Sequence, residues 1–168
     1  MTSLSGSSRQ LSNPEDRRQF HALRKRASAI AIGGSTFRSE PYTRTPLPLF
    51  VSTKSLPLSN EATEDQQSIR FFNLSPLKLI ETARGEIDGD LLVEGGVNFL
   101  HDLIQAQVVD QMFITRVDVD GDAFEFDEDH LNLHYRLVSS EVINTSTFET
   151  WEPIGKELRL EKNLADRD

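Results

Sequence analysis

Apolar residues fall along the chain in two kinds of pattern. Short unbroken runs at Ala29–Ile32, Leu49–Val51 and Leu91–Val93 are too short for helices and predict buried strands, and Ile69–Asn73 reads as a further strand. Between them the period lengthens. Phe20, Leu23 and Ala27 form a stripe that predicts a helix from residue 14, and a second helix is predicted from about Ser75 to Arg84. Val97, Leu100, Leu103, Ile104 and Val108 recur at helical spacing and predict a third. Farther on, Gln111–Thr115 reads as a strand, and 134–143 and 145–151 as late strands that pair with each other. Strands alternating with helices predict an α/β fold with a largely parallel central sheet. The strand-rich end predicts an antiparallel C-terminal edge.

Punctuation supports these boundaries. Ser12 or Asn13 is placed to cap the first helix, whose first turn holds Pro14, Glu15 and Asp16, and Pro76 and Gly85 bracket the second. Two strands run directly into glycine pairs, Ala29–Ile32 into Gly33-Gly34 and Leu91–Val93 through Glu94 into Gly95-Gly96. A strand, a glycine pair and a helix start can aim backbone N–H groups at a phosphate. A plain βα corner that needs glycine only for packing would leave the same two letters. Two such corners in one chain point to a site between them, at the carboxyl ends of neighbouring strands.

Composition narrows the choices. The 168 residues fit one domain, read as 1–155 with a loop-like start at 1–13 and a charged tail at 156–168. No apolar run is long enough to span a membrane, no signal-peptide core is visible at the N-terminus, and there are no cysteines; the expected location is the cytoplasm. The net charge of −9 argues against nucleic acid as a partner, yet it is uneven. Residues 1–60 carry nine Lys/Arg and three Asp/Glu, residues 61–168 nine and twenty-four. A basic first third suits a phosphorylated ligand, and equally suits pairing with the acidic remainder.

Two metal-like patterns do not hold up. With Gly121 at the sixth position of a calcium loop, the first position would be Arg116, so residues 118–130 read as an acidic hairpin tip. His130 and His134 are four apart, but the segment Leu131–Val138 alternates like a strand, which would not converge both imidazoles. No metal is expected, and no Walker, G-x-S-x-G or H-E-x-x-H sequence is present.

Four segments in order carry a resemblance: G-S-S-R-Q-L-S-N-P-E-D-R-R-Q-F-H-A-L-R (6–24), A-I-A-I-G-G-S-T-F-R-S-E (29–40), P-L-F-V-S (48–52) and L-L-V-E-G-G-V-N-F-L…V-V-D (91–110). Over roughly residues 6–115 the chain resembles the reductase domain of bacterial riboflavin biosynthesis, in the dihydrofolate-reductase-like superfamily. The resemblance implies a three-layer dihydrofolate-reductase-like sandwich, often a homodimer. It also implies NADPH-dependent hydride transfer to the ribose of a phosphoribosylaminopyrimidine. Thr36 and Glu40 match the family's pair against the nucleotide. Ser52 matches the strand end at the cofactor, and Gly95, Gly96, Val97 and Asn98 its phosphate cradle. Ser8, Arg24 and Glu94 match substrate-side positions. No catalytic residue is assigned.

The resemblance departs at the start. The family opens with a strand ending in S-L-D-G, ahead of its G-x-S segment. Either Ser3-Leu4-Ser5-Gly6 is a shortened version that has lost its Asp, or the sequence begins after that strand; the spacing to Leu11-Ser12 favours the second. Val97 also stands where the family often has Pro. The rival expectation is a non-catalytic nucleotide-binding or assembly module that kept the fold.

Overall fold

The computed structural model describes residues 13–40, 42, 45–55, 68–117 and 126–155. Ser8, the Ser3–Gly6 segment, most of the 118–130 stretch and the 156–168 tail lie outside them. The chain divides into two compact units, one built mainly on residues 1–103 and the other on 104–119 and 127–168.

The first unit holds a four-stranded parallel sheet: β1 (Ala27–Gly33), β2 (Leu49–Ser52), β3 (Ile69–Phe72) and β4 (Asp90–Val93), in the order β3-β2-β1-β4. β1 is flanked on both sides, and Ala29, Ile30, Ala31 and Ile32 are wholly buried. An unbroken apolar run is what a strand covered on both faces requires. Helix α1 (Pro14–Arg26) leads into β1. Asn13 caps it, its Oδ1 accepting the Asp16 N–H at 2.9 Å. α2 (Gly34–Ser39) follows β1 without a break, and α3 (Pro76–Arg84), capped by Ser75, packs on β1 and β2. Helix α4 (Val97–Gln105) starts where the period changes, and ends earlier than the stripe to Val108 predicts. Gln107 takes a left-handed φ of 50°, which stops the helix.

α1 corrects one expectation. Its predicted buried stripe is absent: no residue of the helix is fully buried, and Phe20 is 37% exposed. The Phe20 ring lies instead beneath the Arg24 guanidinium, whose carbon is 4.4 Å from the ring centroid.

The second unit is an antiparallel sheet of β5 (Met112–Val117), β6 (Tyr135–Ile143) and β7 (Ser146–Pro153), in the order β5-β7-β6. β6 and β7 pair as expected, but the antiparallel strands form a sheet of their own and not an edge of the parallel one. Helix α5 (Glu128–His134) overturns the strand expectation for Leu131–His134 and the hairpin tip at Asp127–His130. Asp127 caps it by accepting the His130 N–H at 2.8 Å, and Glu128 and Asp129 suit the positive helix end. His130 and His134 are therefore one turn apart with edge-to-face rings 4.9 Å apart, so the strand argument against their convergence does not apply. Among the described residues no three His, Asp or Glu side chains gather as metal ligands would. No described helix is long and apolar enough to cross a membrane.

Candidate functional site

Parallel pairing brings three strand ends together. Gly33 at the end of β1 is level with Ser52 at the end of β2, and Ala31 with Val93 of β4. The two glycine corners are thereby neighbours. The Glu94 N–H donates to the Ala31 carbonyl at 3.0 Å, and the Gly96 N–H donates to Thr36 Oγ1 at 3.1 Å, tying one corner to the other.

The four glycines are not equivalent. None has a positive φ, so the backbone turn itself does not demand them. A Cβ on Gly95 would lie 2.8 Å from Phe99 Cδ1 and one on Gly34 2.7 Å from Thr53 Oγ1, whereas one on Gly33 would make an ordinary contact with Phe99 at 3.4 Å. At Gly96 a Cβ would meet only Thr36 Oγ1, at an ordinary 3.5 Å. Packing accounts for two of them, Gly34 and Gly95. Neither packing nor conformation demands glycine at Gly33 or Gly96, and Gly96 is the one beside the first turn of α4, where a ligand could approach the backbone.

A second cluster converges on Glu94, whose side chain is 7% exposed. Arg24, from the last turn of α1, forks onto it: Nε donates to Oε1 at 2.7 Å and Nη2 to Oε2 at 2.5 Å. Tyr42 donates its phenol O–H to Oε2 at 2.8 Å. The guanidinium carbon is 5.4 Å from the Tyr42 ring centroid and faces Phe20 on its other contact, within cation–π reach of both. The Glu94 hydrogen bond raises the pKa of Arg24. Burial, then the neighbouring Glu94 charge, pushes that of Tyr42 well up, so the phenol stays protonated.

The sequence treats Arg24 and Glu94 as separate residues, and the structure makes them one ion pair. Thr36 and Gly96 likewise meet. Val97 and Asn98 form the first turn of α4, and Glu40 caps the C-terminus of α2, its N–H donating to the Thr36 carbonyl at 3.0 Å. Ser52 stands at the strand end, but its hydroxyl donates to the Leu74 carbonyl at 2.6 Å. Tyr42 is the residue that sequence reasoning passes over. Its partner lies 52 positions away, and an aromatic in the polar stretch E-P-Y-T-R gives no sign of it.

A family model, the RibD C-terminal domain, matches residues 1–119. No curated protein sequence matches the chain. Among solved structures, a diaminohydroxyphosphoribosylaminopyrimidine deaminase/5-amino-6-(5-phosphoribosylamino)uracil reductase from Thermotoga maritima is similar. It has a TM-score of 0.67 at 14% identity, over 90% of this chain and 52% of that one. A putative riboflavin biosynthesis protein from Shewanella sp. PV-4 is similar at TM-score 0.59 and 18% identity, over 90% and 94%. RibD of Acinetobacter baumannii is similar at 0.64 and 15%, over 91% and 54%. The chain thus spans about half the length of the bifunctional Thermotoga protein. The structural likeness bears out the mixed α/β fold, and the matched residues include both glycine corners and the Arg24–Glu94 pair. The chain belongs to the RibD C-terminal domain family, that of the riboflavin-biosynthesis reductase domain.

Proposed function

We propose that the chain is an NADPH-dependent reductase acting on the ribose of a phosphoribosylaminopyrimidine. The observation that carries this reading is Gly96: an open glycine at a helix start, bridged by Thr36 to the neighbouring corner, with no packing reason to be glycine. Thr36, Glu40, Ser52, Gly95, Gly96, Val97 and Asn98 would hold the dinucleotide, Gly96 and the first turn of α4 taking its phosphates. NADPH would supply the hydride, and these residues its position. Arg24 would meet the substrate phosphate, with Glu94 behind it and Ser8 on the same substrate side.

The same reading includes a cytoplasmic homodimer. β6, the last strand of its sheet, exposes Leu137, Val138, Val142 and Ile143, a patch suited to a second copy.

Titration with NADPH tests the reading. At 100 times its Kd a ligand adds about 2.7 kcal/mol of stability, or roughly 5–10 °C in Tm for a chain of this size. A folded protein whose Tm ignores millimolar NADPH would be the non-catalytic relative instead.

A further inference from the structure

We propose that Tyr42 is a positioning residue for Arg24: its phenol fixes the Glu94 carboxylate, and the fixed carboxylate holds the guanidinium so that its outer N–H groups face an incoming phosphate. The inference rests on the reading of Arg24 as the phosphate-binding residue.

The need for such a device follows from α1. A long arginine side chain leaving a helix that buries no residue has on its own element only the half-exposed Phe20 ring to rest against, which fixes no N–H direction. Arg24 is held from 70 residues away, by a carboxylate that is itself almost wholly enclosed. The fork uses Nε–H and one Nη2–H. A guanidinium has five N–H groups, so the two on Nη1 and the second on Nη2 point away from Glu94. Arg24 keeps 28% of its side chain exposed against 7% for Glu94. The pair therefore presents its cationic end outward and its anionic end inward.

A carboxylate gripped only by a mobile arginine would move with it. Glu94 has an independent anchor. The Tyr42 ring is 6% exposed and belongs to the core cluster of Ile30, Ile32, Leu49 and Val51, the central strands of the sheet. Its O–H reaches the same Oε2 that Arg24 Nη2 uses. The carboxylate accepts only, so the phenol must be the donor, and its raised pKa keeps it one throughout the neutral and mildly alkaline range. Rigidity thus passes from the β1–β2 core through one O–H to Glu94 and on to Arg24.

The test uses the full chain and ribose 5-phosphate as probe, with ribose as the uncharged control, by calorimetry. Tyr42→Phe keeps the ring and its packing and removes the hydroxyl alone. The expected result is about a tenfold loss of affinity for ribose 5-phosphate, none for ribose, and NADPH affinity within twofold of the parent. A tyrosine that merely fills the core would lower Tm and leave the ribose 5-phosphate to ribose ratio alone; that outcome overturns the inference. Should Tyr42→Phe fail to fold, Arg24→Lys on the exposed helix serves. It keeps the charge but cannot fork, and an unchanged affinity would overturn the inference equally. A parent protein that binds NADPH but not ribose 5-phosphate refutes the role of Tyr42 and leaves the cofactor reading standing. One that binds ribose 5-phosphate but not NADPH does the reverse.

Discussion

Gly34 and Gly96 occupy matching places in the two corners, yet replacing each by alanine should have opposite effects. At Gly34 the new methyl would stand 2.7 Å from Thr53 Oγ1 and 2.8 Å from Thr53 Cβ. Thr53 cannot retreat easily. It is buried, its N–H donates to the Phe72 carbonyl at 2.8 Å, and its Oγ1 both donates to the Ser55 carbonyl at 3.0 Å and accepts the Ser55 N–H at 3.2 Å. Overpacking of this kind costs about 1–3 kcal/mol, a fall in Tm of roughly 2–12 °C. At Gly96 the methyl meets Thr36 Oγ1 at 3.5 Å, an ordinary contact, and φ is not positive. Alanine there restricts the unfolded chain and should be neutral or add about 0.4–1 kcal/mol. In the proposed cradle, however, that methyl occupies the space a phosphate needs, so NADPH affinity should fall at least tenfold. Differential scanning fluorimetry of both variants, with and without NADPH, reads all four numbers. A Gly34→Ala protein that melts with the parent would refute the packing argument. A Gly96→Ala protein that binds NADPH normally would refute the cradle.

Three more outcomes follow from the same geometry. Glu149 is buried on β7, accepting from Arg116 Nε at 2.8 Å and Trp151 Nε1 at 3.0 Å; Glu149→Ala leaves both donors without it and should cost about 2–3 kcal/mol, seen in urea denaturation followed by the emission of Trp151, the chain's one tryptophan. Arg70 forks onto Glu86, and that hydrogen bond lowers the Glu86 pKa. A depressed carboxylate contributes stability above its ordinary pKa and loses it as pH falls through the folded value, so the parent should lose more of its urea midpoint between pH 6 and pH 3 than Arg70→Met does. Val142→Glu places a charge on the exposed face of β6, and light scattering should show the parent as a dimer and the variant as a monomer; a monomeric parent would refute that interface.

Much of the first unit is legible in the letters because its physics is local. Ala29–Ile32 is apolar because both faces are covered, Asn13, one of the two cap candidates, caps α1, and Pro76 and Gly85 bracket α3 where the sequence places them. Misreadings arise where two local signals compete. Leu131–Val138 alternates like a strand, but Asp127 and the acids behind it start a helix first, and the strand begins only at Tyr135. The contacts that define the site are of another kind. Arg24 and Glu94 are 70 residues apart, Thr36 and Gly96 60, Tyr42 and Glu94 52. No periodicity encodes them; they follow from β1 and β4 lying side by side, which only the assembled sheet decides.

The position of β1 between β2 and β4 also bears on how the chain emerges from a ribosome. Ile30 pairs with Leu49 on one side and with Leu92 on the other. The first partner is synthesised soon after β1, and the second only some sixty residues later, after β3 and α3. Until Leu91–Val93 is released, β1, whose Ala29–Ile32 is wholly buried in the folded sheet, has one edge of unpaired N–H and C=O groups, a template for pairing with another nascent chain. The strand that completes the candidate site is thus also the one that ends this exposure, so slow translation between residues 53 and 90 should favour aggregation over folding.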